Sequence, residues 1–447
     1  MTDCINSVID VKEYKNFSLG KKLIINYLSN LLNCDVKLQE QPLKDFCCFI
    51  SIDILENIKR NVYVLDKNRV VLVSKVYNEK KQIVGVLPIL LEGTQISSVP
   101  ESLLNKIANS LTGSLSESFK ESFKEPEKFF TSRFQIKTMW DCIATSLCNL
   151  NRFRYLIEYV QKLALLTFED SSFSTGFIMS QSIYDYVSEK QHNRGGVLFN
   201  LNTELNITKE IEPKRRFWYL IDGMSSYYLF DNTFTAKCIY TIPEQNSIKK
   251  FWDSYSMKTI LWGTDVAFRT TKNHQISIIN KNGIEFFYTE GIWRLRDYNR
   301  VINVLKENTK LEENKIDELL YFVLYCSNNR KSTIIWLPCN CQEEELKKSL
   351  TVLNKITKES ISLGMAENRN FILRLLTSDG VTILNSEGSI IYSGCVVNLS
   401  KQETVSGLTG TGETAARILA GNGIAIKTSQ DGIVKIFINK TDKPYIF

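Results

Sequence analysis

Across residues 314–438 the hydrophobic period switches repeatedly between helix and strand, and this alternation constrains the fold more than any other feature. Ile316, Leu319, Leu320, Val323 and Leu324 recur at helical spacing. Residues 332–337 read as a buried strand and 343–358 as a charged amphipathic helix. Residues 375–384 read as apolar, turn, apolar: a short strand reaching Asp379-Gly380. Residues 389–398 form a second β-rich run after a turn at 385–388. Beyond Gly407, Gly410 and Gly412, residues 414–420 are helix-forming, and Gly421 sits where a helix stops. Residues 424–427 and 433–438 close the pattern as two strands. Such alternation predicts an α/β (α+β) fold, with a mixed sheet carrying helices on its faces.

A glycine-rich loop opening into a helix presents free backbone N–H groups and the positive end of a helix dipole, which suits a phosphate or a carboxylate. An aspartate at a nearby strand end can hold a metal ion against that phosphate. Asp-Gly is first of all a turn dipeptide, and the pattern taken alone fits a purely structural role better than a site.

These residues resemble the diadenylate cyclase (DisA N-terminal) domain family, most closely its divergent bacterial cyclase-like sensor domains. Asp379-Gly380-Val381 resembles the family's Asp-Gly-Ala, with valine for alanine. Gly410-Thr411-Gly412-Glu413-Thr414-Ala415-Ala416 resembles Gly-Thr-Arg-His-Arg-Ala-Ala without a gap, and its Gly412-Glu413-Thr414 replaces the Arg-His-Arg core. Glu290-Gly291-Ile292-Trp293-Arg294-Leu295-Arg296-Asp297 resembles a stretch that precedes this domain in the sensors. By resemblance the base lies near Gly380 and Val381, and the phosphates lie over Gly410, Thr411, Gly412 and Thr414. Asp379 holds Mg²⁺ or Mn²⁺.

In the family, Arg-His-Arg neutralises the triphosphate, and phosphoryl transfer depends on that neutralisation. By resemblance its loss here implies a nucleotide-binding sensor, in bacterial signalling or defence, rather than an efficient cyclase. The alternative is an active cyclase making a cyclic dinucleotide from ATP, with Asp379 and Glu413 as catalytic metal ligands. A second alternative is a scaffold that binds nothing. Glu413 also has a bland reading as the partner of Arg417, four residues on along a helix. The ligand class implied is a nucleotide or cyclic dinucleotide, with a protein effector in trans and self-association open.

Net charge is +6, hydrophobic content 43% and charged content 23%, ordinary values for a globular chain. The basic clusters Lys214-Arg215-Arg216, Arg294/Arg296 and Arg330-Lys331 are short and lack interleaved aromatics, so nucleic acid is not the expected partner. No apolar run reaches membrane-spanning length. Eleven cysteines without framework spacing suggest free thiols and a cytoplasmic protein, and Cys47-Cys48 and Cys339-Asn340-Cys341 lack the partners of a zinc site.

Three regions are expected. Residues 1–130 read as an α/β accessory domain, with a helix carrying Leu23, Ile24, Tyr27, Leu28, Leu31 and Leu32, strands at 46–52 and 61–65, and a strand pair at 69–76 and 83–91. Residues 131–305 read as helical, then β-rich. Residues 138–168 carry an apolar stripe, and strands are expected at 195–199, 217–222, 227–231, 238–242, 259–268, 275–279 and 284–288, with Asn282-Gly283 as a hairpin turn. Alternation then points Trp293 and Leu295 inward, and Arg294 and Arg296 outward. Residues 306–447 form the nucleotide-binding domain.

Overall fold

The computed structural model describes residues 9–10, 17–38, 60–77, 79–81, 83–124, 153–180, 183, 197–209, 213–241, 257, 260–365, 368–399, 410–438 and 444–447. The expected strand at 46–52, Cys47-Cys48, residues 138–152 of the apolar stripe and Gly407 lie outside these ranges. The described chain is α+β with mixed sheets. It divides into two compact units: Met1–Tyr159 with Ile292–Leu295, and Val160–Gly291 with Arg296–Phe447.

In the first unit, helix α1 (Phe17–Leu32) buries Ile24, Tyr27, Leu28, Leu31 and Leu32, the face its periodicity marks. Strands β1 (Asp35–Leu38), β2 (Val62–Asp66), β3 (Arg69–Tyr77) and β4 (Ile83–Glu92) pair antiparallel in the order β1-β4-β3-β2. Helix α2 (Glu101–Lys124) follows Pro100 and buries Leu103, Leu104, Ile107, Ala108, Leu111 and Leu115.

The second unit opens with a sheet built from β5 (Thr175–Met179), β6 (Val197–Asn206), β7 (Ser226–Phe230), β8 (Thr235–Thr241), β9 (Val266–Thr270), β10 (Ile276–Asn280) and β11 (Ile284–Thr289). Their order is β11-β10-β9-β5-β7-β8-β6, and only the β5/β7 pair is parallel. Asn282-Gly283 closes the β10–β11 hairpin with Gly283 at φ +73°, as the dipeptide predicts. The expected strand at 217–222 is instead a short helix, Arg215–Tyr219, two residues after Pro213, with Trp218 buried. The strand expected at 259–268 begins only at Val266.

Strand β12 (Ile292–Asp297) overturns the outward placement of Arg296. Arg296 is 1% exposed, because the end of this strand is covered on both faces. Helices α3 (Tyr298–Asn308) and α4 (Glu313–Asn328) follow. Asp297 caps α3 by accepting from the Arg300 N–H.

The C-terminal sheet contains β13 (Thr333–Pro338), β14 (Leu350–Val352), β15 (Ile361–Ser362), β16 (Val381–Leu384), β17 (Ser389–Val397), β18 (Gly423–Thr428), β19 (Val434–Ile438) and β20 (Tyr445–Ile446). The order is β14-β17-β16-β13-β18-β19-β20, with β15 on β17, and only β13/β16 is parallel. Helix α5 (Glu343–Ser349) is shorter than the expected 343–358 run, which turns into β14 at Leu350.

The run before Asp379 is also different from the expected strand. It is helix α6 (Arg369–Leu376), with Ile372, Leu373, Leu375 and Leu376 buried at helical spacing. The sheet therefore lies between two helical layers. Ile335, Leu337, Ile424, Ile426, Val434 and Ile436 pack towards α4 and α6. Trp336, Val381, Ile383, Ala425 and Phe437 pack towards helix α7 (Thr411–Ala420) through Ala415, Ala416, Leu419 and Ala420.

Candidate functional site

Strand register brings the two sequence motifs to one end of this sheet. Ile334 pairs with Val381 on one side and with Lys427 on the other. A Cβ on Gly412 would lie 3.7 Å from the Ile334 Cδ1 and 3.0 Å from the Lys427 Cε. Asp379-Gly380 at the start of β16 and the first turn of α7 thus flank the same strand end.

Asp379-Gly380 is held from behind. The carbonyl of Leu375, at the end of α6, accepts from the hydroxyls of Ser378 (2.7 Å), Ser393 (2.8 Å) and Thr382 (3.0 Å). Gly380 has φ +102°, and a Cβ there would meet the Cys395 carbonyl at 2.5 Å, so glycine is required. Opposite it β17 bulges, since Val381 pairs with Cys395 but Ile383 with Tyr392. Val381 is buried. The Asp379 carboxylate is exposed and makes no ion pair with any described residue.

Gly410 caps α7: its carbonyl accepts from the Glu413 and Thr414 N–H groups (2.9 and 3.1 Å), which leaves the Thr411 and Gly412 N–H groups without an intrahelical acceptor. Gly410 and Thr411 are exposed, and Gly412 and Thr414 are half-buried. Glu413 is committed: its Oε1 accepts from Arg417 Nη2 at 3.0 Å and its Oε2 from Lys435 Nζ at 2.6 Å. The Arg417 contact is the i,i+4 pair that the spacing suggests. Burial tends to raise the Glu413 pKa, but the bonds from Lys435 and Arg417 outweigh it and hold the carboxyl below its ordinary range.

Two lysines at this site were not singled out from the sequence. Lys427 and Lys435 are direct partners in the β18/β19 ladder and lie on the α7 face, between residues that pack the other way. Like charges directly opposite repel. Burial lowers the Lys427 pKa, and Lys435 lowers it further. Its Nζ donates to Ser429 Oγ at 2.9 Å. Three cations, Lys427, Lys435 and Arg417, surround Glu413 beside the positive end of α7, and the Asp431 carboxylate also acts on Lys427. Each lysine stands alone in an apolar strand, so only the pairing of the two strands reveals the cluster.

Among the described residues no group of three or more His, Cys, Asp and Glu side chains is arranged to hold a metal. Asp379 fits a hydrated Mg²⁺ or Mn²⁺ that arrives with phosphate, since such ions take one or two carboxylates and complete their shell with phosphate oxygens and water. No described helix is long and apolar enough to cross a membrane.

The chain matches no protein-family profile and no curated protein. Among solved structures it is similar to a hypothetical membrane spanning protein from Bacillus cereus, at 16% identity and TM-score 0.26, over 34% of this chain and 68% of that one. It is also similar to a double mutant of DacA from Staphylococcus aureus, at 14% identity and TM-score 0.25, over 30% of this chain and 88% of that one. At these TM-scores neither likeness establishes a shared fold.

Proposed function

We propose that this chain is a nucleotide sensor whose C-terminal sheet resembles the diadenylate cyclase domain, and that it works in the cytoplasm through a protein effector in trans. One observation carries the reading: Asp379-Gly380, the first turn of α7 and the Lys427/Lys435 pair share one end of one sheet. The cations that the Gly412-Glu413-Thr414 sequence lacks are supplied from the strands beneath it. Gly412 leaves the room that the Lys427 side chain occupies. A nucleotide phosphate would dock on the lysines and the α7 N–H groups, with its base towards Gly380 and Val381. Asp379 would hold Mg²⁺ or Mn²⁺ against it, and that metal would supply additional charge neutralisation. With Glu413 already neutralising part of the cluster, the site suits a nucleoside monophosphate or cyclic dinucleotide better than a triphosphate.

The uncommitted Asp379 carboxylate favours a second reading, an active cyclase in which metal replaces the missing arginines. One series separates them. Purified protein is incubated with ATP or GTP and Mg²⁺ or Mn²⁺, products are read by mass spectrometry, and thermal shift is recorded against mono-, tri- and cyclic dinucleotides. The sensor reading expects no product and a shift that falls in Asp379→Ala and changes in Gly412→Arg, both folded. A cyclic dinucleotide product that disappears in Asp379→Ala establishes the cyclase instead. Neither product nor shift leaves a scaffold.

A further inference from the structure

The lysine pair sits one register step from the turn at residues 429–433. That turn is closed on itself: Ser429 N–H donates to the Ile433 carbonyl (2.9 Å), Gly432 N–H to the Ser429 carbonyl (3.0 Å) and Ile433 N–H to Asp431 Oδ1 (2.9 Å). Lys427 joins it through Ser429. The far side of the turn is gripped by groups with no role in the site described above. The Gly432 carbonyl accepts from Ser327 Oγ (2.5 Å) and from Arg296 Nη2 (3.4 Å), and the Asp431 carbonyl accepts from Thr289 Oγ1 (3.1 Å). Gly432 has φ +83°, a backbone conformation that favours glycine, and it lies against Gln275 Nε2.

Behind the grip lies a buried charge pair. Arg296 Nη1 is 3.8 Å from Glu285 Oε2, and Arg296 Nη2 donates to Ser327 Oγ at 2.8 Å. The guanidinium lies over the Phe287 ring, 3.5 Å from its centroid. Ser277 and Tyr298 hydroxyls fix the Glu285 carboxylate at 2.5 Å each. An unbroken chain of polar contacts therefore runs from Lys427 through the turn to Arg296 and Glu285, in the β10–β11 hairpin. Buried charges held by directional bonds tolerate few arrangements, so a displaced turn disturbs them in discrete steps.

We propose that Ser327 and Arg296 are positioning residues for the lysine site, and that the 429–433 turn carries the occupancy of that site into the β9–β11 meander. This rests on the anion-binding reading of the preceding section. An anion between Lys427 and Lys435 cancels their repulsion and draws Lys427 away from Ser429, which loosens one side of the turn. By thermodynamic reciprocity, whatever loosens the grip on the turn alters anion affinity by the same factor.

Arg296→Ala risks unfolding the protein, so the test uses smaller changes. Calorimetric titration of the full chain with inorganic pyrophosphate is compared for wild type, Ser327→Ala, Thr289→Val, Thr289→Ser and the control Ile279→Val, a core change in the same meander. Hydrogen exchange over residues 276–297 is followed with and without pyrophosphate. Ser327→Ala and Thr289→Val should each change affinity by roughly threefold to tenfold. Thr289→Ser keeps the hydroxyl and should match wild type, as should the control. Pyrophosphate should alter exchange over 284–297 in wild type, and that response should vanish in Ser327→Ala. Equal affinities throughout, with wild type binding, overturn the coupling and leave the sensor reading intact. Loss of affinity in Ile279→Val as well reduces the effect to general destabilisation and overturns the coupling. No binding by wild type overturns the coupling together with the anion site on which it rests, and the nucleotide thermal-shift series then decides the sensor reading separately.

Discussion

Glu413 is the residue on which the competing readings divide. Its oxygens are taken by Arg417 and Lys435, so it acts as a resident anion in front of the lysine pair. Glu413→Gln should therefore tighten binding of a triphosphate, measured by titration, whereas a metal-ligand role predicts loss. The carboxyl's folded pKa lies below its usual 4.5, so the stability of this pairing is present above about pH 4.5 and is lost as pH falls through the lowered value. Thermal melts from neutral to acid pH should show that slope, flattened in Glu413→Gln. Lys427 contributes a cost rather than a gain, although stability again rises with pH. Its folded pKa lies below 10.5, so the cost of burying its charge is full below the lowered value and is relieved as pH rises through it towards 10.5. An anion restores the charged form, so binding in that alkaline window should take up a proton, which titration in buffers of different ionisation heat will read. The sequence exposed Asp379, Gly380 and the Gly410–Thr414 loop because turn and helix-start chemistry is local. It hid Lys427 and Lys435 because their partnership is a matter of register. Arg296 was misplaced because strand alternation assumes that one face meets solvent, and the end of β12 has no such face.

At the scale of elements, the junction of α6, β16 and the β17 bulge decides how firmly Asp379 is presented. Gly380→Ala forces a Cβ towards the Cys395 carbonyl at a φ that favours glycine. It should destabilise the protein by roughly 1–3 kcal/mol in urea denaturation and weaken nucleotide binding with it. The helices α4 and α7 and the strands β13, β18 and β19 follow from periodicity, since each has an apolar stripe or alternation of its own. Helix α6 was missed because an eight-residue apolar helix ending at a turn looks, at that length, like a strand reaching it. Helix α5 was overextended because its charged pattern continues past Ser349, where pairing of β14 with β17 takes over.

At the scale of the molecule, one buried cluster of the second unit spans both of its sheets. Ile178, Leu229 and Ile279 of the first sheet belong to the same buried cluster as Leu319, Ile335, Ile426 and Phe447. The meander and the C-terminal sheet should accordingly unfold together, and hydrogen exchange should give the Ile278 and Ile335 amides similar opening free energies. The Arg296–Glu285 pair contributes to that unity. Arg296→Met alone strands a buried carboxylate and should cost about 3–5 kcal/mol in denaturant unfolding, and adding Glu285→Gln should recover part of the loss. None of this joint packing is visible in single segments, because it depends on which apolar faces meet. The shared core has a consequence for how an effector would read this protein. Two sheets that share a buried cluster move little against each other, so on the sensor reading occupancy of the lysine site would reach an effector through that shared packing and not through a hinge.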